Sequence, residues 1–481
     1  MTVADRSTRE QRPGGRWSTP NLIEQLLHLA ALERATAHVI AGWVPKVPEL
    51  DDKLALAGDL DGYLVRAGAL RQQALALLER DTSGLVAAPA WIEPLVALDR
   101  SGSAVAVVHG VAAVRSYLAR IYRDLDARLD PLLDARLQTI VRAAAQAHED
   151  AASSDAACAP DDVGTSDLAA GDSAREAFLH SLEVAHALAA DHLVALDEVL
   201  WAPLDRVTVP ARPAGRPRPT TGARAHFRKG SRLTKDDLAG ELNDNVMAEL
   251  SALELLCRSS YEHPEQPWSV HLAIARHAAD EARHAAIFRR LLVDNGIGEH
   301  ELTQHAANYE YGYEFPECEP GSPRELVWRL LILCTVLEAL AVDKLPVEIG
   351  GRDWVGQSDF ARALDYIAAD ELFHTENGLV LSRRLCAELG LDPILERERV
   401  HGRFFGRQRD VRIEYLEADP ERAAAEIAIL EAPDPDGVPY VSRTEVELRL
   451  RSSFTIDECE QVERWGYNPI RHELLDAPPP A

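Results

Sequence analysis

Apolar residues recur at three- and four-residue spacing through most of this chain, which is the period of a helix. From Asn21 to about Leu204 the pattern runs through long Ala- and Leu-rich segments and predicts a helical N-terminal domain over 21–204. Residues 1–20 are polar and predict a flexible terminus. Within the domain, "HEDAASSDAACAPDDVGTSDLAAGDS" is rich in Ala, Asp and Ser and reads as a loop. Residues 205–232, containing "RVTVPARPAGRPRPTTGARAHFRKGSR", read as a Pro/Arg-rich linker. Their basic charge suits docking on an acidic surface or recruiting an anionic partner. Strong helical periodicity returns over 233–400. Residues 401–481 change character, and "RTEVELRLRSSF" alternates like a strand, so this extension is predicted to be small and mixed.

Four helices stand out in 233–400. The first runs from Lys235 to Tyr261, opened by Thr234 with Asp237 three residues on, and its apolar stripe is Leu242, Val246, Leu253 and Leu256, with Glu249 inside it. The second has the stripe Ile274, His277, Glu281, His284, Phe288 and Leu291 and stops near Gly296. The third opens on Ser322, Pro323 and Glu325, a capping box with proline in the first turn. Its stripe is Leu331, Cys334, Glu338, Val342 and Leu345, and Pro346 is predicted to end or kink it. The fourth runs from Ser358 to Gly390 with the stripe Leu364, Ile367, Glu371, His374, Leu381 and Leu385.

The bulk numbers fit packed helices. Aromatic residues are 6 % of the chain against 46 % hydrophobic, and 481 residues exceed one ordinary core. The net charge of −27 disfavours a nucleic-acid partner. Six scattered cysteines form no CxxC spacing and read as free thiols, which with a polar N-terminus predicts a cytoplasmic protein. The longest apolar run, "SAVAVVHGVAAV", contains His109 and reads as too short for a membrane span.

Each of the four helices therefore places a carboxylate in its core-facing stripe, and two add a histidine at i+3, on the same face. A lone buried carboxylate is costly unless paired or bound to metal, and four together repel. Two metal ions would resolve the conflict. Glu249 and Glu281 lie 32 residues apart, and Glu338 and Glu371 lie 33 apart, so the two helix pairs look like copies of one ligand set. "AELSALEL" also aligns with "LEALAVDK", pairing Glu249 with Glu338 and Glu254 with Asp343.

This pattern resembles the ferritin-like di-iron carboxylate superfamily, whose bundles carry one Glu on each of two helices and Glu-x-x-His on each of the other two. The resemblance implies an all-α, ferritin-like four-helix bundle with the metal ligands Glu249, Glu281, His284, Glu338, Glu371 and His374. It also implies supporting contacts in which Asp370 holds His284 and Asp280 holds His374. Glu254 and Asp343 join that supporting set, and Cys334 lines the pocket. His277, one turn before Glu281, is either a further ligand or a supporting residue. Arylamine N-oxygenases of the superfamily carry such a His on the last helix, where this chain has Ile367.

The N-terminal domain echoes the same pattern. "LAALE" matches "LSALE", and Leu54–Arg71 matches Leu272–Arg289 without a gap. In that register His28, Tyr63 and Arg66 replace Glu249, Glu281 and His284, and Ala145 stands where a Glu would precede His148. The domain reads as a degenerate ferritin-like repeat without a metal site.

The resemblance implies an O2-dependent non-haem di-iron oxygenase or oxidase acting on a small molecule by hydroxylation, N-oxygenation or a related oxidation. Its cofactors would be two iron ions, or an Mn/Fe or Mn pair, with O2 as co-substrate. No nicotinamide or flavin motif occurs, so electrons would come from a ferredoxin or reductase. No membrane partner is expected, and a dimer is compatible with the reading. Ferritin-like iron storage and a metal-bound scaffold are the alternatives.

Overall fold

A computed structural model describes residues 19–47, 49–78, 89–157, 176, 178–182, 235–297, 315, 317–351, 353–404 and 446–464. The basic linker, the N-terminal segment up to residue 18 and the predicted cap Thr234 lie outside the described residues. Among the described residues there is no strand, and the chain is mostly helical. It divides into two compact units, Met1–Pro210 with Ser260–Ala275, and Ala211–Ser259 with Arg276–Ala481.

In the first unit, α1 (Thr19–Trp43) is followed by a 3-10 turn (Val44–Lys46), α2 (Leu50–Gly58), α3 (Leu60–Leu78), α4 (Pro89–Asp99), α5 (Ala104–Arg128) and α6 (Ala135–Ala157). Helix α1 packs chiefly on α3, and α5 on α6. The reason is periodic burial: Leu26, Leu29, Leu32, Val39 and Ile40 form one apolar stripe on α1, and Val107, Val111, Val114 and Leu118 form one on α5. Ser103 caps α5 by accepting from the Ala106 N–H. By length and composition α5 is long and apolar enough to cross a membrane, which the shorter run seen in the sequence does not suggest. Its buried face packs against α1, α4 and α6.

The second unit holds most of α7 (Lys235–Glu262) and α8 (Trp268–Asp294), then α9 (Pro323–Leu330), a π-helical turn (Leu331–Leu337), α10 (Glu338–Gly351) and α11 (Ser358–Leu389). Residues 393–404 form α12. Two short helices follow, α13 (Val446–Arg451) and α14 (Ile456–Arg464). All the apolar stripe residues predicted for the four helices are buried. Gly390 adopts a left-handed conformation (φ 67°) and ends α11, and Gly296 (φ 66°) does the same after α8.

Four local expectations need correction. The predicted loop "HEDAASSDAACAPDDVGTSDLAAGDS" begins as helix, because its Ala-rich start from His148 continues α6 to Ala157. Pro346 does not end the third helix, because α10 continues to Gly351. A proline removes a single helical bond, and the packing of α10 on α11 holds the rest. The Glu325 carboxylate does not close a box on Ser322: it accepts from the Gly321 N–H at 2.6 Å and from Arg329 at 2.7 Å, while Ser322 still caps the Glu325 N–H. The alternating "RTEVELRLRSSF" contains helix α13 over Val446–Arg451 rather than a strand, so the described part of the extension is helical. Its inward residue is Arg449, buried by an ion pair with Asp343, and a hydropathy alternation cannot register that.

Candidate metal centre

The four stripes place seven ionisable side chains in one interior. Glu249 comes from α7, and His277, Glu281 and His284 come from successive turns of α8. Glu338 stands at the first position of α10, and Glu371 and His374 come from α11. All are buried except Glu249, whose side chain is 15 % exposed.

These side chains form two groups able to hold a metal ion. One comprises Glu249, Glu281, His284 and Glu371, the other His277, Glu281, Glu338 and His374, and in each group the donor atoms lie within 4.8 Å of one another. Glu281 belongs to both. His284 Nδ1 lies 3.8 Å from Glu249, 3.7 Å from Glu281 and 3.6 Å from Glu371. His374 Nδ1 lies 3.2 Å from Glu281 and from Glu371. His277 Nε2 lies 2.9 Å from Glu281 and 3.3 Å from Glu338, and its ring stacks on that of His374 at 3.7 Å. The histidine left open in the sequence thus stands in the second group.

The electrostatics are those of a site short of positive charge. Burial and the charge of Glu281 push Glu249 well above the usual carboxylate range. Burial and the charge of Glu338 do the same to Glu371. Burial also disfavours the Glu281 anion, but the nitrogens of His277, His284 and His374 around it hold its pKa well below the usual range. Burial and His374 work against protonation of His277, yet Cys334, Glu281 and Glu338 raise it to about 10. His374, also opposed by burial, is raised to about 9 by Asp280 and Glu281.

Whether a metal suits this interior is decided by the orphaned atoms. Both Glu281 oxygens and His284 Nδ1 are buried without a well-aligned hydrogen-bond partner. Orphaned buried polar atoms are rare and point to an absent ion or water. The donors are carboxylate oxygens and imidazole nitrogens, which suit iron, manganese or zinc rather than a soft metal. The residues fit a metal ion.

The supporting contacts are reciprocal. Asp370 Oδ2 lies 3.1 Å from His284 Nε2, and Asp280 Oδ2 lies 3.3 Å from His374 Nε2. Each Asp thus engages the ring nitrogen facing away from its group, which fixes the imidazole orientation. Arg283 joins the two, at 2.7 Å from Asp280 and 2.9 Å from Asp370.

Other singled-out residues lie nearby or elsewhere. Cys334 is buried in the π-helical turn, interacts with His277, and has its thiol pKa pushed up by burial. Gly378 on α11 lies directly against it, where a Cβ would overlap the Cys334 side chain. Glu254 is buried but belongs to neither metal group. Asp343 is fully buried and pairs with Arg449. The π-helical turn itself had no sequence signal, since its residues fit an unbroken α-helical stripe; such turns are frequent at functional sites.

The first unit offers an internal contrast. Its buried Glu33 accepts from Arg66 at 3.1 Å through both oxygens and from the Tyr122 hydroxyl at 2.6 Å, and lies 2.8 Å from His148. Burial would raise its pKa, but Arg66, His148 and Tyr122 hold it below the usual range. Tyr63 is buried there, with Arg66 over its ring. A guanidinium supplies the positive charge, and the carboxylate is satisfied without an ion. Among the described residues no metal-holding group occurs in this unit. Comparison with protein-family models, curated proteins and solved structures gives no match for this chain.

Proposed function

We propose that this chain is an O2-dependent non-haem di-iron oxidoreductase, an oxygenase or oxidase of ferritin-like architecture acting on a small molecule. The observation that carries the reading is Glu281: fully buried, shared by two His/Glu groups, ringed by three histidines, and with neither oxygen in a well-aligned hydrogen bond. Glu249, His284 and Glu371 would complete one iron position, and Glu338, His374 and His277 the other. Two iron ions held there would supply the capacity to reduce O2 and oxidise a neighbouring substrate.

The protein's own part is to bind and to exclude water. Asp280 and Asp370 orient His374 and His284, and Arg283 ties the two aspartates together. Apolar residues of the α8 and α11 stripes, among them Phe288, Leu364 and Ile367, are buried and would help keep water from the interior. Electrons would come from an external ferredoxin or reductase. The first unit is a degenerate copy of the bundle, in which Arg66 has taken over the charge balance. The buried free thiols Cys257, Cys318, Cys334, Cys386 and Cys459 suit a reducing, cytoplasmic compartment.

The test is to load the protein anaerobically with Fe(II), admit O2, and follow oxygen uptake and iron content. The expected result is uptake that is renewed by added reductant, with iron staying at one ion per group, about two per chain. Uptake that only accumulates many ferric ions per chain would make it a storage protein instead.

A further inference from the structure

The C-terminal extension meets Asp343 on α10, the helix that begins with Glu338 of the second metal group. Arg449 of α13 is 2 % exposed. Its Nε donates to Asp343 Oδ1 at 3.0 Å, and its Nη2 donates to Asp343 Oδ2 at 2.6 Å and to the Ala339 carbonyl at 3.3 Å. Ala339 directly follows Glu338, and Asp343 lies one turn further along α10. The guanidinium therefore grips the first two turns of α10, the first through the Ala339 carbonyl and the second through the Asp343 side chain.

That turn is a place where support matters. The Glu338 N–H donates to the Leu333 carbonyl, five residues back, so Glu338 stands where π-helical geometry returns to α-helical. Isolated π-helical turns are rare and depend on their surroundings. Phe454 and Cys459, from the same C-terminal segment, form one buried cluster with Ala339 and Leu379. Leu379 adjoins Gly378, which abuts Cys334 of the π-helical turn. On α11, Arg383 donates to the Ser453 carbonyl at 3.0 Å, and the Ser453 hydroxyl donates to Glu376, two residues after His374, at 2.9 Å. The segment thus touches the turns that follow Glu338 and His374, two donors belonging to the second group alone.

We infer that Arg449 is a positioning residue for the Glu338 group, and that the segment Val446–Arg464 is a clasp completing that half of the centre. The inference rests on the proposed two-metal reading. It predicts an asymmetry: loosening the clasp weakens one metal position and spares the position built on Glu249 and His284.

The test uses the full chain, Fe(II) under anaerobic equilibrium dialysis, and the circular dichroism and metal-centred spectra of each loaded protein. Arg449→Lys keeps a cation for Asp343 but loses the planar fork that also reaches Ala339. The double variant Arg449→Met with Asp343→Leu replaces the buried pair by apolar volume, a change that folds usually tolerate. Each variant is expected to keep the wild-type helical spectrum, bind one iron with wild-type affinity, and bind the second about 10- to 100-fold more weakly. Two irons bound with wild-type affinity in a folded variant would overturn the clasp, as would equal loss of both. Unfolding of both variants would also overturn it, because the pair would then hold the whole fold. If the wild type itself bound no iron, the two-metal reading would fail first.

Discussion

Asp370 on α11 faces His284 on α8 at 3.1 Å, and the relationship is returned by Asp280 on α8 facing His374 on α11 at 3.3 Å. Each helix thus supplies a histidine to the interior and an acceptor to its neighbour's histidine. Substituting Asp370→Asn should leave the fold intact and weaken metal binding at the His284 group about 10- to 100-fold. Asp280→Asn should do the same at the His374 group. Metal titration of each variant checks this, and unchanged affinity in both would show that the aspartates are not oriented toward metal ligands.

In the first unit, Arg66→Met should be strongly destabilising. It leaves the fully buried Glu33 carboxylate without its guanidinium, and breaking one partner of a buried pair costs about 3–5 kcal/mol. The double variant with Glu33→Leu should recover much of that loss. Denaturant unfolding of the two variants decides the matter, and equal stability of single and double variants would contradict it.

Gly378→Ala gives a prediction whose sign is informative. Alanine normally stabilises a helix interior by about 1 kcal/mol relative to glycine. Here its Cβ would collide with Cys334, so the variant should instead lose about 1–3 kcal/mol, as overpacked cores do. Thermal unfolding of the metal-free protein gives the sign directly.

Acid should weaken the first unit through His271. Burial, and then the charge of Arg34, lower its folded pKa to about 4, below the 6.5 of an ordinary histidine. The unfolded chain therefore binds the proton first. The stabilising contribution is complete above pH 6.5 and is lost as pH falls from 6.5 toward 4. Between pH 6.5 and 5 this one residue should remove roughly 2 kcal/mol. His38, lowered chiefly by burial, acts with the same sign. His271→Gln should flatten the dependence of the melting temperature on pH over that window; an unchanged slope would refute the assignment.

Much of the second unit was legible because its signals are local. The stripes of α7, α8 and α11 and the stops at Gly296 and Gly390 follow from helical period and from glycine's left-handed conformation. The reciprocal aspartates followed from the family resemblance that the repeated Asp-Glu-x-x-His carries. What escaped the sequence depends on partners distant along the chain. Arg449 lies 106 residues from Asp343, so "ELRLR" reads as an alternating strand until that partner is known. Glu33 and His148 are 115 residues apart, so although "LAALE" aligns Glu33 with Glu254, the histidine it meets is not legible locally. The π-helical turn escaped because one extra residue in a run of buried apolar side chains leaves hydropathy unchanged. His277 was visible as a core-facing histidine, but its placement between Glu281 and Glu338 required the approach of α10 to α8.

Glu281 stands between two proposed metal positions and belongs to both. The most direct test of this sharing is metal analysis of the purified full-length chain beside Glu281→Gln and Glu249→Gln. About two transition-metal ions per wild-type chain are expected, one per group. Glu281→Gln should lose both and Glu249→Gln only one, with the helical spectrum of all three unchanged. A wild-type chain without bound metal, or a Glu281→Gln variant that keeps both ions, would contradict it.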